Sequence, residues 1–217
     1  YRLWNALHNQ YWPAHYFIDA TGRIRYFHHG EGEYQMSERV IRQLLAEAGH
    51  APSGTMAQTN ARGSEAAAAF NEIGSPETYL GYDRAERFAG KARHDAVAAY
   101  IFPRALKPNG WALEGKWKIE TEKIDAEAPG ASLRLRFKAR KVFLVLIVSE
   151  ARSVPVSVTL NGAAPGASSG ADAPGGKFTV AGHSLFELID QKFVRDGTVE
   201  IRAGAPGLEA YAFTFGG

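Results

Sequence analysis

Ser132-Leu-Arg-Leu-Arg-Phe-Lys138 and, a few residues on, Val142-Phe-Leu-Val-Leu-Ile-Val148 decide the fold of most of this chain. The first stretch alternates strictly between apolar and polar side chains, as a strand with one buried face does. The second is the longest apolar run in the sequence, and its length and β-branched content suit a buried strand. Strand-like runs continue on both sides. Trp111-Ala-Leu-Glu-Gly-Lys-Trp117 and Lys118-Ile-Glu120 come before, and the runs 154–160, 177–180, 198–202 and 210–215 come after. Asn161-Gly162 is a strong turn signal. Many short strands separated by Gly and Pro turns predict an antiparallel β-sandwich or jelly roll. No internal repeat at a fixed period is visible.

The N-terminal residues follow a different rule. Tyr1-Arg-Leu-Trp-Asn-Ala-Leu-His8 places Leu3, Trp4 and Leu7 on one helical face. It has no initiator Met, basic n-region or apolar h-region, and it reads as a helix entered partway, so a preceding segment is expected. His15-Tyr-Phe-Ile18 is strand-like, Asp19-Ala-Thr-Gly22 favours a tight turn, and Arg23-Ile-Arg-Tyr-Phe27 alternates again. An antiparallel hairpin is predicted. A helix follows, with Ser37 as its N-cap, Val40, Ile41, Leu44 and Leu45 as its apolar stripe, and Gly49 as its stop. Residues 50–75 are rich in Ala, Gly, Ser and Thr, a linker composition with room for one short helix. The expected class is therefore α+β then all-β: an α-β-β-α unit over 1–49, a linker over 50–75 and a sandwich over 76–217.

Composition narrows the function. Among the 217 residues, 45% hydrophobic and 22% charged is a globular balance, and a net charge of +2 gives no field that would favour nucleic acid. No run approaches the roughly 20 apolar residues of a membrane-spanning helix. There is no cysteine, which excludes disulfides, thiolate metal sites and thiol chemistry within this chain. It leaves the redox compartment open.

Tyr11-Trp-Pro-Ala-His-Tyr-Phe-Ile-Asp19 with Gly22-Arg-Ile-Arg-Tyr26 resembles the thioredoxin superfamily around its cis-proline and the hairpin after it. Asn9-Gln-Tyr-Trp-Pro-Ala-His15, His29-Gly-Glu-Gly-Glu-Tyr34, Ser75-Pro-Glu-Thr-Tyr-Leu-Gly-Tyr82 and Tyr211-Ala-Phe-Thr-Phe-Gly216 look like its DipZ-like branch. The resemblance implies the second half of a thioredoxin fold joined to a sandwich resembling carbohydrate-binding modules. It also implies an extracytoplasmic, periplasmic or cell-surface setting and a membrane-anchored parent. The branch's Cys-x-x-Cys pair would precede Tyr1, so thiol–disulfide exchange cannot be carried over to this chain. By resemblance Pro13 is cis and shapes the substrate groove, with Trp12 beside it. Pro13 has a second reading on local sequence, an ordinary trans proline opening a strand, and Trp12 is equally a core residue.

Sugar rings stack on aromatic faces, which makes Trp111, Trp117, Tyr79, Tyr82 and Tyr211 candidate ligand-binding residues. Trp111 and Trp117 share one face of an unbroken strand, and that face is either a binding surface or the core. Tyr211, Phe213 and Phe215 alternate on one face of the last strand and are read as core. His28, His29, Glu31 and Glu33 bear ligating groups, but adjacent histidines on a strand point to opposite faces, and a solvated loop is the better reading. No metal or cofactor is expected. Lys138-Ala-Arg-Lys141 is read as a solvent-facing basic cluster, the alternative being contact with an anionic glycan or lipid head group.

Half a thioredoxin sheet would leave an open edge, which invites pairing. Three completions are expected: the missing N-terminal half as a separate piece, a second copy of this chain, or cover by the sandwich. The functional expectation is the C-terminal region of an extracytoplasmic thiol–disulfide exchange protein, acting as a ligand- or carbohydrate-binding or interaction module. The alternative is a redox-active parent in which the sandwich has a purely structural or orienting role.

Overall fold

The computed structural model describes residues 2–9, 13–29, 33–50, 52, 54–57, 74–148 and 153–216. Contacts divide the chain into two compact units, residues 1–70 and 71–217. The first is mixed α/β, and the second is an antiparallel sheet of nine strands.

The first unit runs α1 (Arg2–Ala6), β1 (Ala14–Ile18), β2 (Ile24–His29) and α2 (Tyr34–Glu47), the α-β-β-α order of the sequence reading. β1 and β2 pair antiparallel, with Phe17 opposite Tyr26 and Tyr16 opposite Phe27. Asp19 builds their turn. Its Oδ1 accepts from the Thr21 amide at 2.9 Å, the Thr21 hydroxyl at 2.7 Å and the Arg23 amide at 3.0 Å. Gly22 supplies the φ of +83° that the turn requires. These bonds, the Thr21 hydroxyl first, hold the Asp19 carboxyl down at about 2.

Helix α2 corrects one expectation. The Ser37 amide already donates to the Glu33 carbonyl at 2.9 Å, so Ser37 lies a full turn inside the helix and is not its N-cap. Glu33, at φ 50°, holds the cap position without a side-chain cap bond. The other end is as read. Gly49 takes φ +83°, and the His50 amide returns to the Leu45 carbonyl at 2.8 Å, the long bond of a Schellman stop.

The second unit contains β3 (Thr78–Tyr79), β4 (Val97–Tyr100), β5 (Trp111–Ile119), β6 (Ile124–Ala126), β7 (Ser132–Ile147), β8 (Val154–Leu160), β9 (Lys177–Val180), β10 (His183–Ala203) and β11 (Glu209–Gly216). The two stretches 132–138 and 142–148 prove to be essentially one 16-residue strand, β7. Its first part pairs with β5 and its second with β11, while β10 follows it along most of its length. Pairings β5–β6, β6–β11, β11–β7 and β7–β5 close a four-strand ring. From β7 the sheet continues through β10 and β8 to β9.

β5 changes partners near Gly115, at φ +86°, where a Cβ would lie 3.1 Å from the Ala131 backbone. That switch carries the strand from β7 to β4 and β6. The interior is filled by large side chains, among them Trp111, Trp117, Phe137, Phe213 and Leu144, each at most 1% exposed.

The basic cluster also needs correction. Lys141 is 7% exposed, and its Nζ lies 3.0 Å from a Glu187 carboxylate that is itself 4% exposed. Arg140 pairs with Asp190 at 3.0 Å. Lys138 stays exposed as read, but the β10 register shifts opposite this stretch and brings acidic partners to Arg140 and Lys141. A charge at this depth persists only when it is paired.

Candidate functional site

Ser75-Pro-Glu-Thr-Tyr-Leu-Gly-Tyr82 is a staple that ends in a cleft. The Ser75 hydroxyl donates to Asn109 Oδ1 at 2.6 Å and accepts from the Lys138 amide at 2.7 Å. Thr78 and Tyr79 pair with β11, and Leu80 is fully buried. Gly81 lies so close to the next turn that a Cβ would stand 2.2 Å from the Glu122 backbone carbon. The amides of Tyr82 and Asp83 then donate to the carbonyls of Glu120 and Thr121 at 2.9 and 3.0 Å.

This anchoring fixes Tyr82. Its hydroxyl donates to Asp95 Oδ2 at 3.0 Å and accepts from Thr121 Oγ1 at 3.0 Å. Its ring stacks on His94, with centroids 4.1 Å apart and planes within 11°. The segment after Tyr82 forms an irregular strap along β5, tied at both ends. Phe88 bridges to Trp111 and His94 to Ile119, and the Trp111 indole N–H donates to the Glu86 carbonyl at 2.8 Å. Arg87 and Asp95 take positive φ, 58° and 56°, where the strap turns. Between strap and strand lies a cleft of about 320 Å³, lined by Tyr82, Arg87, Phe88, His94 and part of Trp111. That volume falls within the roughly 300–1,000 Å³ typical of small-molecule sites.

The remaining candidates fall elsewhere. Trp111 and Trp117 do share a face, but it is the core: each is 1% exposed, so neither offers its ring to a solvent ligand. The Trp117 indole is satisfied internally by the Glu114 carbonyl at 2.9 Å. Tyr79 is half-buried, and the Arg84 guanidinium covers its ring at 3.4 Å from the centroid. Pro13 is a half-buried bend immediately before β1, while Trp12 lies outside the described residues, as does Glu31. Among the described residues no three His, Asp or Glu side chains converge as a metal site would require. Phe88, His94 and Arg87 escaped the sequence reading because an irregular strap has no periodicity to betray it. The one signal was the aromatic-rich spacing around Tyr82.

A charged cluster flanks this region. Lys123 contacts Glu209 at 2.8 Å, Asp125 at 3.2 Å and Glu120 at 3.5 Å, and Lys118 pairs with Glu120. Burial pushes Asp125 up to about 6, against the opposing pull of Lys123. Burial and the hydrogen bond to Glu209 push Tyr211 up to about 12.

An α-β-β-α unit of thioredoxin type, followed by a cysteine-free antiparallel β-sandwich with an aromatic cleft, defines a thioredoxin-associated C-terminal module. Residues 75–216 match the family described as thioredoxin like C-terminal domain, and the chain belongs to it. It is 29% identical over 224 residues to Protein DipZ of Mycobacterium bovis, and equally to that of Mycobacterium tuberculosis. Those alignments cover 100% of this chain and 29% of each relative, so the chain spans less than a third of their length. A shorter match, 40% identical over 45 residues, joins 21% of this chain to 30% of the thiol-disulfide oxidoreductase YkuV of Bacillus subtilis. A family two carbohydrate esterase from Cellvibrio japonicus superposes with a TM-score of 0.40 at 13% identity, over 49% of this chain and 30% of that one. That likeness is too slight to carry an argument.

Proposed function

We propose that this chain is the C-terminal region of an extracytoplasmic thiol–disulfide exchange protein with a membrane-anchored parent, and that its sandwich binds a carbohydrate in the cleft beside Tyr82. The observation that carries the reading is the fixed Tyr82 ring. It is half-exposed, stacked on His94 and held through its hydroxyl by Asp95 and Thr121 at the wall of a cleft. A pyranose needs an aromatic surface for its C–H face and polar groups for its hydroxyls. Tyr82, Phe88 and His94 supply the first, and the Arg87 side chain the second. Redox chemistry belongs to the parent, because this chain has no thiol.

The first unit supports the same assignment. Ile18, Ile24, Phe27 and Ile41 are between 45 and 55% exposed, an apolar surface suited to the other half of a thioredoxin domain or to a second copy. Pro13 would then shape the substrate groove, as the resemblance implies.

A neutral-glycan array with the full chain tests the cleft. Binding of at least one sugar is expected, weakened about tenfold or more by Tyr82→Ala and by His94→Ala. A wild-type chain that binds no sugar would favour the purely structural or orienting role of the sandwich. For the parent, a Cys-x-x-Cys and an apolar multi-span region encoded upstream of Tyr1 are expected.

A further inference from the structure

A larger cleft, about 550 Å³, lies on the outer face of β10, β8 and β9, away from the Tyr82 strap in the sequence and in its lining. Two cross-strand rows build it. Register places Arg202 opposite Ser157 and Ser157 opposite Lys177. In the next row Pro155 lies opposite Thr179, and the Gly204 amide donates to the Pro155 carbonyl at 2.8 Å. The middle of the cleft is therefore small: Ser157, Pro155 and Gly204, the last so close that a Cβ would meet Pro155 at 2.8 Å. The two ends are long and cationic.

The charge balance is one-sided. Glu200 lies nearest to Arg202, at 3.4 Å, and it is already shared with Arg134 at 2.8 Å. Lys177 has no anionic partner among the described residues. Neighbouring strands stand about 4.8 Å apart, so Lys177 and Arg202, two strands from one another, can both lean over Ser157. A guanidinium fork and an ammonium at the two ends of one small-residue floor suit a single oxyanion.

The rest of the cleft says what carries that oxyanion. Its floor, β8 and β10, has its backbone groups spent in the ladder, and only the outer side of β9, the last strand, is an open edge, so recognition on the floor falls to side chains. Polar contacts must come from the hydroxyls of Ser157 and Thr179, and the flat, small floor accepts a ring laid upon it. We propose that this cleft binds a carboxylate-bearing saccharide of the uronate type, with Arg202 and Lys177 gripping the carboxylate and Ser157 and Thr179 contacting ring hydroxyls. The proposal does not rest on the Tyr82 cleft.

Titration calorimetry of the full chain tests it, with tetragalacturonate, neutral cellotetraose and tetraglutamate as probes. Tetragalacturonate is expected to bind, at least tenfold tighter than either of the others. Lys177→Ala and Arg202→Ala should each weaken it about tenfold, and half-molar salt should weaken it further. Both side chains are exposed, so these variants should fold, and an unchanged melting temperature would verify it. Tyr82→Ala should leave this binding unchanged, which separates the site from the other cleft. The idea is overturned by absence of tetragalacturonate binding, by equal binding of cellotetraose, by equal binding of tetraglutamate, or by indifference to both substitutions.

Discussion

The two units use the same local grammar to opposite ends. In residues 1–70 the Asp19 turn and the Gly49 stop are well made, yet no described apolar side chain is buried, and among the described residues only Asn9 and Ser37 are. In residues 71–217, Trp111, Trp117, Phe137 and Phe213 share one continuous core. Local hydrogen bonds specify conformation, but stability comes from burial, at about 25 cal/mol per Å² of apolar surface. The first unit is thus specified without being self-supporting, and the second is both.

The sharpest way to break this contrast is to separate the units. Residues 71–217 expressed alone should melt cooperatively, while residues 1–70 alone should show no cooperative transition by circular dichroism. A two-state melt of 1–70 would end the comparison. Within the second unit, Lys141→Met should cost about 3–5 kcal/mol in denaturant titration, because Glu187 is left charged and buried. Pairing it with Glu187→Leu should recover most of that loss, since the desolvated pair itself adds little.

The smallest effect compares two aspartates of opposite sign. Asp125, raised to about 6, binds its proton more readily folded than unfolded. The second unit should therefore gain stability as pH falls from about 6 to about 4, and lose it as pH rises through that window. The gain should be on the order of 1 kcal/mol once partial exposure is discounted, and Asp125→Asn should abolish it. Asp19, lowered to about 2, contributes above its unfolded value near 4, and that contribution is lost as pH falls through about 2. Amide protection factors in the β1–β2 hairpin, taken relative to intrinsic exchange at each pH, should fall below pH 4 without moving the main transition.

How much of this was readable depends on whether a signal is local. Asp19 and Gly22 announced their turn, Gly49 its stop, and the alternation of 132–138 its strand, because each depends on neighbours a few residues away. Ser37 misled, since a helix can begin on a cap that uses no side chain. Lys141 misled because its partner, Glu187, comes from a distant strand. The first part of β10 went unread. Its pairing with β7 is interrupted between Asp190 and Arg195, and that irregularity blurs the two-residue period. For the proposed site, Tyr82 stood in a quotable aromatic motif. His94 was not, because only the strap's path lays it on the Tyr82 ring.

The ring of β5, β6, β11 and β7 carries a consequence for timing. β11 completes it, and Phe213 on β11 is also the partner of Thr78 on β3. A chain emerging from a ribosome or a translocation pore delivers β11 after every other strand of the sheet. Until then β3, β6 and the second part of β7 each present an unpaired edge to whatever is nearby. This unit must therefore mature all at once and late, and any crowding by sister chains during that interval would be felt before the last strand arrives.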